Sequence, residues 1–216
     1  MKILRFIFIL SLVFSQYDFN LQDLNINSAY FEDIVGPSQF ENEVSLVYFG
    51  HFTWGTCTAR FEELNDFYQG LISSGFENNI KLFGVGKDTH INNLENWTDQ
   101  NVGIVNADTS PFEVWNNWDS SQRDLFILDH NGNLQYHNNI TSGISEDVYV
   151  LVNQLISEIS SLLGDINIDG EVNVLDVIQT VNIILGTSNY NELADINDDN
   201  MIDILDVVQL VNIILN

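Results

Sequence analysis

One thiol and two sets of side-chain oxygens are the residues of this 216-residue chain whose types and spacing could do chemistry. The thiol belongs to Cys57, the sole cysteine, in Thr53-Trp54-Gly55-Thr56-Cys57. With no second cysteine the chain closes no internal disulfide, so Cys57 is buried, free and reactive, or paired with another molecule. The oxygens lie in two stretches, 165–186 and 195–216, which align without gaps at a period of 30 and share 13 of 22 positions. Similarity of that kind marks a duplicated structural unit.

In the first stretch Asp165, Asn167, Asp169, Glu171, Asn173 and Asp176 fall at positions 1, 3, 5, 7, 9 and 12 of an EF-hand-type calcium loop. In the second, Asp195, Asn197, Asp199, Met201, Asp203 and Asp206 take the same places. Position 7 contributes a backbone carbonyl, so a methionine serves there, and calcium favours hard oxygen ligands throughout. Gly170 stands at the sharp turn of the first loop and Asn200 at that of the second, the two residue types most tolerant of positive φ. Position 12 is Asp instead of Glu, which shortens the reach of the bidentate ligand. Apolar residues then recur at Val177, Ile178, Val181, Ile184 and Leu185, and at Val207, Val208, Val211, Ile214 and Leu215. That spacing predicts one buried face on a helix after each loop. Clustered carboxylates repel one another without a cation, and so short a segment has a small core, so metal binding is expected to supply much of its stability.

Charge and the chain start narrow the function classes. Lys2 and Arg5 precede an apolar run, Phe6 to Phe14, and a small-residue site ending at Ser15; residues 1–15 read as a secretory signal peptide. The run is shorter than the roughly 20 residues a membrane-spanning helix needs. Cleavage there leaves Arg60, Lys81, Lys87 and Arg123 as the fixed positive charges against 31 acidic residues. So acidic a chain repels nucleic acid and anionic membranes, and an apolar fraction of 45% argues for folded domains over an acidic tail.

The loop-then-helix unit, used twice with Asp at position 12, resembles the type I dockerin family over residues 164–216. The resemblance implies a small all-α module that binds two calcium ions and docks onto a cohesin domain of another protein. It also implies that Val174, Leu175, Ile204 and Leu205, at the helix starts, face that cohesin. The cellulosomal pattern has small hydroxyl residues there, so this sequence points to a more apolar partner surface, or to packing against the rest of the chain.

Between Gln16 and Leu163 the pattern predicts one α/β domain. "VSLVYFG" (44–50) and "NIKLFGVGK" (79–87) are continuous apolar runs suited to strands buried on both faces. Phe61, Leu64, Phe67, Tyr68 and Leu71 have helical spacing, with Gly75 beyond the end. "NVGIVN" predicts a short strand and "FEVWNNW" a short helix with Pro111 in its first turn. "RDLFILDHNGNLQYHNN" predicts a hairpin turning at Asn131-Gly132, and "SEDVYVLVNQLISEISSLL" a helix that Ser145 can cap.

That order, with a turn after "VYFG" leading into a helix that carries Cys57, resembles the thioredoxin-like fold. The Val114-Trp115 pair and the hairpin from Asp124 to His137 sharpen the likeness to the N-terminal domain of selenoprotein P over roughly residues 44–155. The resemblance implies a redox site in which Cys57 is the second member of a (Sec/Cys)-x-x-Cys pair. Trp54 occupies the first place, and a dithiol cycle needs two thiols, one to attack and one to resolve. Arg123 and Asp124 stand where thioredoxins keep a cis-proline. A one-thiol reaction with a peroxide or a disulfide, reset by an outside thiol, stays open at Cys57, as does a packed, inert thiol. His51 and Arg60, near in sequence, are candidates to activate it, together with the helix start. No two histidines have the i, i+4 spacing of a helical zinc site, so none is expected. Trp97, Trp115 and Trp118 either line a groove or pack the core. The sequence thus describes a secreted protein in which a dockerin docks a thioredoxin-fold domain onto a cohesin-bearing scaffold; the alternative is an extracellular thiol oxidoreductase or peroxidase acting through Cys57.

Overall fold

The computed structural model describes residues 17–40, 42–53, 55–160, 163–167, 171–197 and 199–215. The signal-peptide stretch, Trp54, Asp169 and Gly170 lie outside them. The chain forms two compact units, Met1–Tyr149 and Val150–Asn216.

The first unit opens with two short antiparallel strands, β1 (Leu21–Gln22) and β2 (Ile34–Val35). The main sheet follows: β3 (Val44–Phe49), helix α1 (Gly55–Ser73), β4 (Ile80–Lys87), helix α2 (Glu95–Thr98), β5 (Ile104–Asp108), helix α3 (Glu113–Asn117), β6 (Asp124–Leu128) and β7 (Leu134–Asn139). Its strand order is β5-β4-β3-β6-β7, with β3, β4 and β5 parallel and β6 and β7 antiparallel to their neighbours. All six residues of β3 are buried, as a strand covered on both faces requires. Side chains alternate across the sheet. Val47, Phe49, Phe83, Val85 and Phe126 join Trp115 and Trp118 on one side. On the other, Tyr48 meets Phe61 and Trp97, whose rings stack at 4.7 Å.

Two glycines of β4 let this second layer close. A Cβ on Gly84 would lie 2.6 Å from the Phe61 ring, and one on Gly86 would lie 2.2 Å from the Phe52 ring. The three tryptophans in question are core residues, exposed by 0%, 5% and 2% at positions 97, 115 and 118. None lines an open groove.

The segment before β3, for which the sequence pattern predicted no elements, covers the edge of β5. Leu24 N–H donates to the Val105 carbonyl, and Val105 N–H donates to Asp23 Oδ1. Asn106 Nδ2 donates to the Leu21 and Gln22 carbonyls. Such an edge would otherwise offer unpaired backbone to other chains.

Pro111 lies outside helix α3, contrary to expectation. It follows a cis Ser110–Pro111 bond in a turn closed by Phe112 N–H on the Thr109 carbonyl. The N-cap is Phe112, at φ 63°. The hairpin loop runs from Asp129 to Asn133, so Asn131-Gly132 is part of a longer turn. Asp129 Oδ1 accepts the Asn131 and Asn133 N–H groups, and Gly132 takes the positive φ, the division of labour expected of Asp and Gly in turns.

Helix α4 (Glu146–Ser160) contains the division between the units. In the second unit, α5 (Val174–Ile184) and α6 (Ile204–Leu215) follow the two loops. Their small core is Ile166, Ala194, Ile196 and Leu210, flanked by Val172, Val177, Ile183, Ile202 and Ile214. The expected apolar faces are therefore half right. Ile178, Ile184, Leu185, Val208 and Leu215 are exposed, whereas Asp176, Thr180, Asp206 and Leu210 point inward. Both helices carry apolar residues around most of their circumference, and the inward stripe is set by the buried aspartate at each helix start.

Candidate functional site

Cys57 is the third residue of α1 and is fully buried. Its carbonyl accepts the Tyr48 hydroxyl at 3.1 Å. Burial and the nearby cysteine push the Tyr48 hydroxyl well above the usual phenol range. The group that reaches the sulfur is Arg123, whose Nη1 donates to Sγ at 3.7 Å. Arg123 is held at φ 70°, with its N–H on the Phe49 carbonyl, its carbonyl accepting Ile140 N–H, and its Nε on Thr141 Oγ1. Neither sequence-nominated activator has this contact: Arg60 pairs with Glu63, and His51 pairs with His90. Sequence distance hid Arg123, which is 66 residues from Cys57.

The histidines are not all scattered. His51 Nδ1 and His90 Nδ1 approach to 3.1 Å, although 39 residues separate them and no helix carries both. Burial, then the neighbouring His90, Lys87 and Arg123, lower the His51 pKa to about 4, so its imidazole is neutral at pH 7. His137 lies in β7 as a strand residue, stacked on Phe126 at 3.8 Å.

The two loops repeat one hydrogen-bond scheme. Asp176 Oδ1 accepts the Ile166 and Asn167 N–H groups at 2.8 and 3.0 Å, and its Oδ2 accepts Asn173 N–H at 2.8 Å. Asp206 Oδ1 accepts Ile196 and Asn197 N–H at 2.9 and 3.2 Å, and its Oδ2 accepts Asp203 N–H at 2.7 Å. Both carboxylates are fully buried. Among the described residues, two amides fill each Oδ1 and one amide occupies Oδ2, which leaves one lone-pair direction of each position-12 aspartate for a cation.

In the second loop Asp195, Asn197 and Asp199 turn further oxygens onto the Asp199, Asn200 and Met201 N–H groups. Asn200 takes φ 65° at the sharp bend. Asp165 is buried and Glu171 exposed. Among the described residues no three His, Cys, Asp or Glu side chains converge as a closed metal cage. The donors are all oxygens, several still with capacity, and that set fits calcium.

Residues 163–215 match the family profile of the dockerin type I domain. For the first unit, similar solved structures are a protein of Neisseria meningitidis assigned to the thioredoxins, with 14% identity, TM-score 0.51, and 71% of this chain and 91% of that chain covered. Others are MTB dsbF in its mixed oxidized and reduced forms (15% identity, TM-score 0.48, 68% and 98% covered) and the thioredoxin domain of a thiol-disulfide oxidoreductase from Bacteroides vulgatus (14%, 0.48, 64% and 93%). No curated protein matches the chain significantly. The chain folds as a thioredoxin-like α/β domain followed by a region that matches the dockerin type I domain.

On the dockerin, the two helix starts present matching apolar pairs to solvent. Val174 and Leu175 are 62% and 51% exposed, and Ile204 and Leu205 are 64% and 56% exposed. No helix among the described residues is long and apolar enough to cross a membrane.

Proposed function

We propose that this is a secreted modular protein whose dockerin, holding two calcium ions, fastens the thioredoxin-like domain to a cohesin-type partner. The observation that carries the reading is the duplicated exposed surface of Val174, Leu175, Ile204 and Leu205 above two equivalently built loops. Four large apolar side chains in water are a binding face awaiting cover. The ions would be held by Asp165, Asn167, Asp169, Glu171, Asn173 and Asp176, and by Asp195, Asn197, Asp199, Met201, Asp203 and Asp206. Bound calcium supplies positive charge that draws each loop's carboxylates together. The protein's own part is to fix the helix starts, through Asp176 and Asp206, so that both apolar pairs face outward.

Calorimetry with a panel of cohesin domains tests this. Binding is expected in calcium and not in chelator, with loss in a Val174→Asp, Leu175→Asp, Ile204→Asp, Leu205→Asp variant that still binds calcium. Equal binding by that variant overturns the docking face.

A second reading makes Cys57 a working thiol, in keeping with the resemblance of residues 44–155 to selenoprotein P. Arg123 favours it, because a guanidinium against Sγ stabilises the thiolate. Complete burial of Cys57 opposes it. Rapid modification of the native protein by iodoacetamide well below pH 8 supports thiol chemistry; modification only after unfolding leaves the thiol as packing.

A further inference from the structure

Lys81 is the second residue of β4 and Ile104 the first of β5, so both stand at the amino ends of parallel strands, the end of the sheet away from Cys57. They line a cavity of about 310 Å³ together with Tyr68 and Ile72 of α1 and with Ala29 and Tyr30 of the segment before β3. Its floor, at Tyr68, Lys81 and Ile104, is buried, whereas Ala29 and Glu77 at its mouth are exposed. The space is therefore open to solvent at one end. Lys81 is not the free group in it. The ammonium already donates to the Glu43 carboxylate and to the Glu77 and Ile80 carbonyls, which accounts for all three of its hydrogens.

The free donors are two phenols. Neither the Tyr30 nor the Tyr68 hydroxyl hydrogen-bonds to another described residue, and neither is sealed from solvent. Both sit within the field of the same carboxylate. Burial, then Glu43, raises the pKa of Tyr30; burial, then Tyr30 and Glu43, raises that of Tyr68. The two hydroxyls thus share one space beside the Glu43–Lys81 pair and keep their protons at neutral pH. The lining also selects by charge. An anion would meet Glu43 and Glu77 with Lys81 already paired, on a chain of net charge −25. A cation would compete with Lys81 for Glu43 in a buried place, where stripping water from a charge is costly. The remaining walls are the aliphatic Ala29, Ile72, Val102 and Ile104. An uncharged ring with an oxygen acceptor suits both the walls and the hydroxyls. Ligand pockets run from roughly 300 to 1,000 Å³, and this one, at the lower end, admits a single ring.

We propose that this cavity binds a small, uncharged, single-ring compound whose oxygen accepts a hydrogen bond from the Tyr68 hydroxyl. The test is a titration of the full, calcium-loaded protein with benzyl alcohol and, separately, with benzoate and benzylamine at constant ionic strength. The readout is the amide resonances of Val102 and Ile104, which line the cavity. A saturable shift is expected with benzyl alcohol, and binding weaker by about tenfold or more with either ion. Tyr68→Phe keeps the ring and removes the donor, so it is expected to weaken benzyl alcohol by about threefold to tenfold. Ala29→Trp fills the exposed mouth without disturbing the floor and is expected to abolish the shift, which keeps the test intact should the Tyr68 variant lose stability. No saturable shift, either ion binding as tightly as the alcohol, or binding unchanged in either variant overturns the site.

Discussion

Buried carboxylates have opposite settings in the two units. In the thioredoxin-like unit they are minor members of a large aromatic and aliphatic core, and Asp23 and Asp108 are both shifted up in pKa by burial. In the dockerin the fully buried apolar side chains are few, and each helix start is built around an aspartate that gathers three backbone amides. The first unit can be ordered by removing apolar surface from water. The second is ordered by oxygen atoms, and a cation that binds those oxygens becomes part of its folding free energy.

The largest expected effect breaks this contrast cleanly. Chelating calcium from the full chain is expected to remove the helical signal of α5 and α6 while leaving tryptophan fluorescence unchanged, because all four tryptophans lie in the first unit. A ligand at a thousand times its Kd stabilises by about 4 kcal/mol, a large share of what so small a unit can hold. A far-UV spectrum indifferent to chelator would show that the dockerin core suffices alone.

Trp97→Ala attacks the other unit. The side chain is fully buried between Tyr48, Phe52 and Phe61, so a cost of about 3–5 kcal/mol is expected, read as an earlier unfolding midpoint by fluorescence. Calcium binding should not change. Asp206→Ala makes the converse point, leaving three loop amides without an acceptor at a cost of about 2–3 kcal/mol. Asp206→Asn, which keeps one carbonyl oxygen, should cost less. Loss in Asp206→Ala of no more than surface substitutions give would mean that the amides find water.

These contrasts also mark what the sequence could and could not show. The strands, the long helix and the duplicated loop-then-helix unit were legible because each is written in local spacing: period 2 or continuous burial for β3 and β4, period 3.6 for α1, a gapless 30-residue repeat for the two loop-helix units. Arg123 at the thiol, His51 against His90, and the cover of Asp23 over β5 were not legible, because the sheet brings them together from 66, 39 and 82 residues apart. The outward face of α5 was misplaced for another reason. Apolar residues ring most of that helix, and what decided its orientation was a polar residue, Asp176, whose inward carboxylate no hydrophobic period registers.

The smallest effect concerns His51 and sharpens the comparison, since it confines pH sensitivity above the carboxylate range to the first unit. An unfolded histidine takes up its proton near pH 6.5, whereas folded His51 resists until about 4. The unfolded chain therefore binds more protons between these values, and stability falls as pH falls through that window. The shift sets a ceiling of about 3 kcal/mol, and solvent screening at this half-buried ring leaves on the order of 1 kcal/mol. Asp108 acts in the opposite sense: its raised pKa makes folding easier as it takes up a proton, so the wild-type profile alone is ambiguous. The difference between wild type and His51→Gln isolates the imidazole. Urea unfolding followed by tryptophan fluorescence should show the two proteins converging as pH falls from about 7 to about 4. Parallel profiles would mean that the His51–His90 contact admits a proton without loss, and that the cations around it are too well screened to matter.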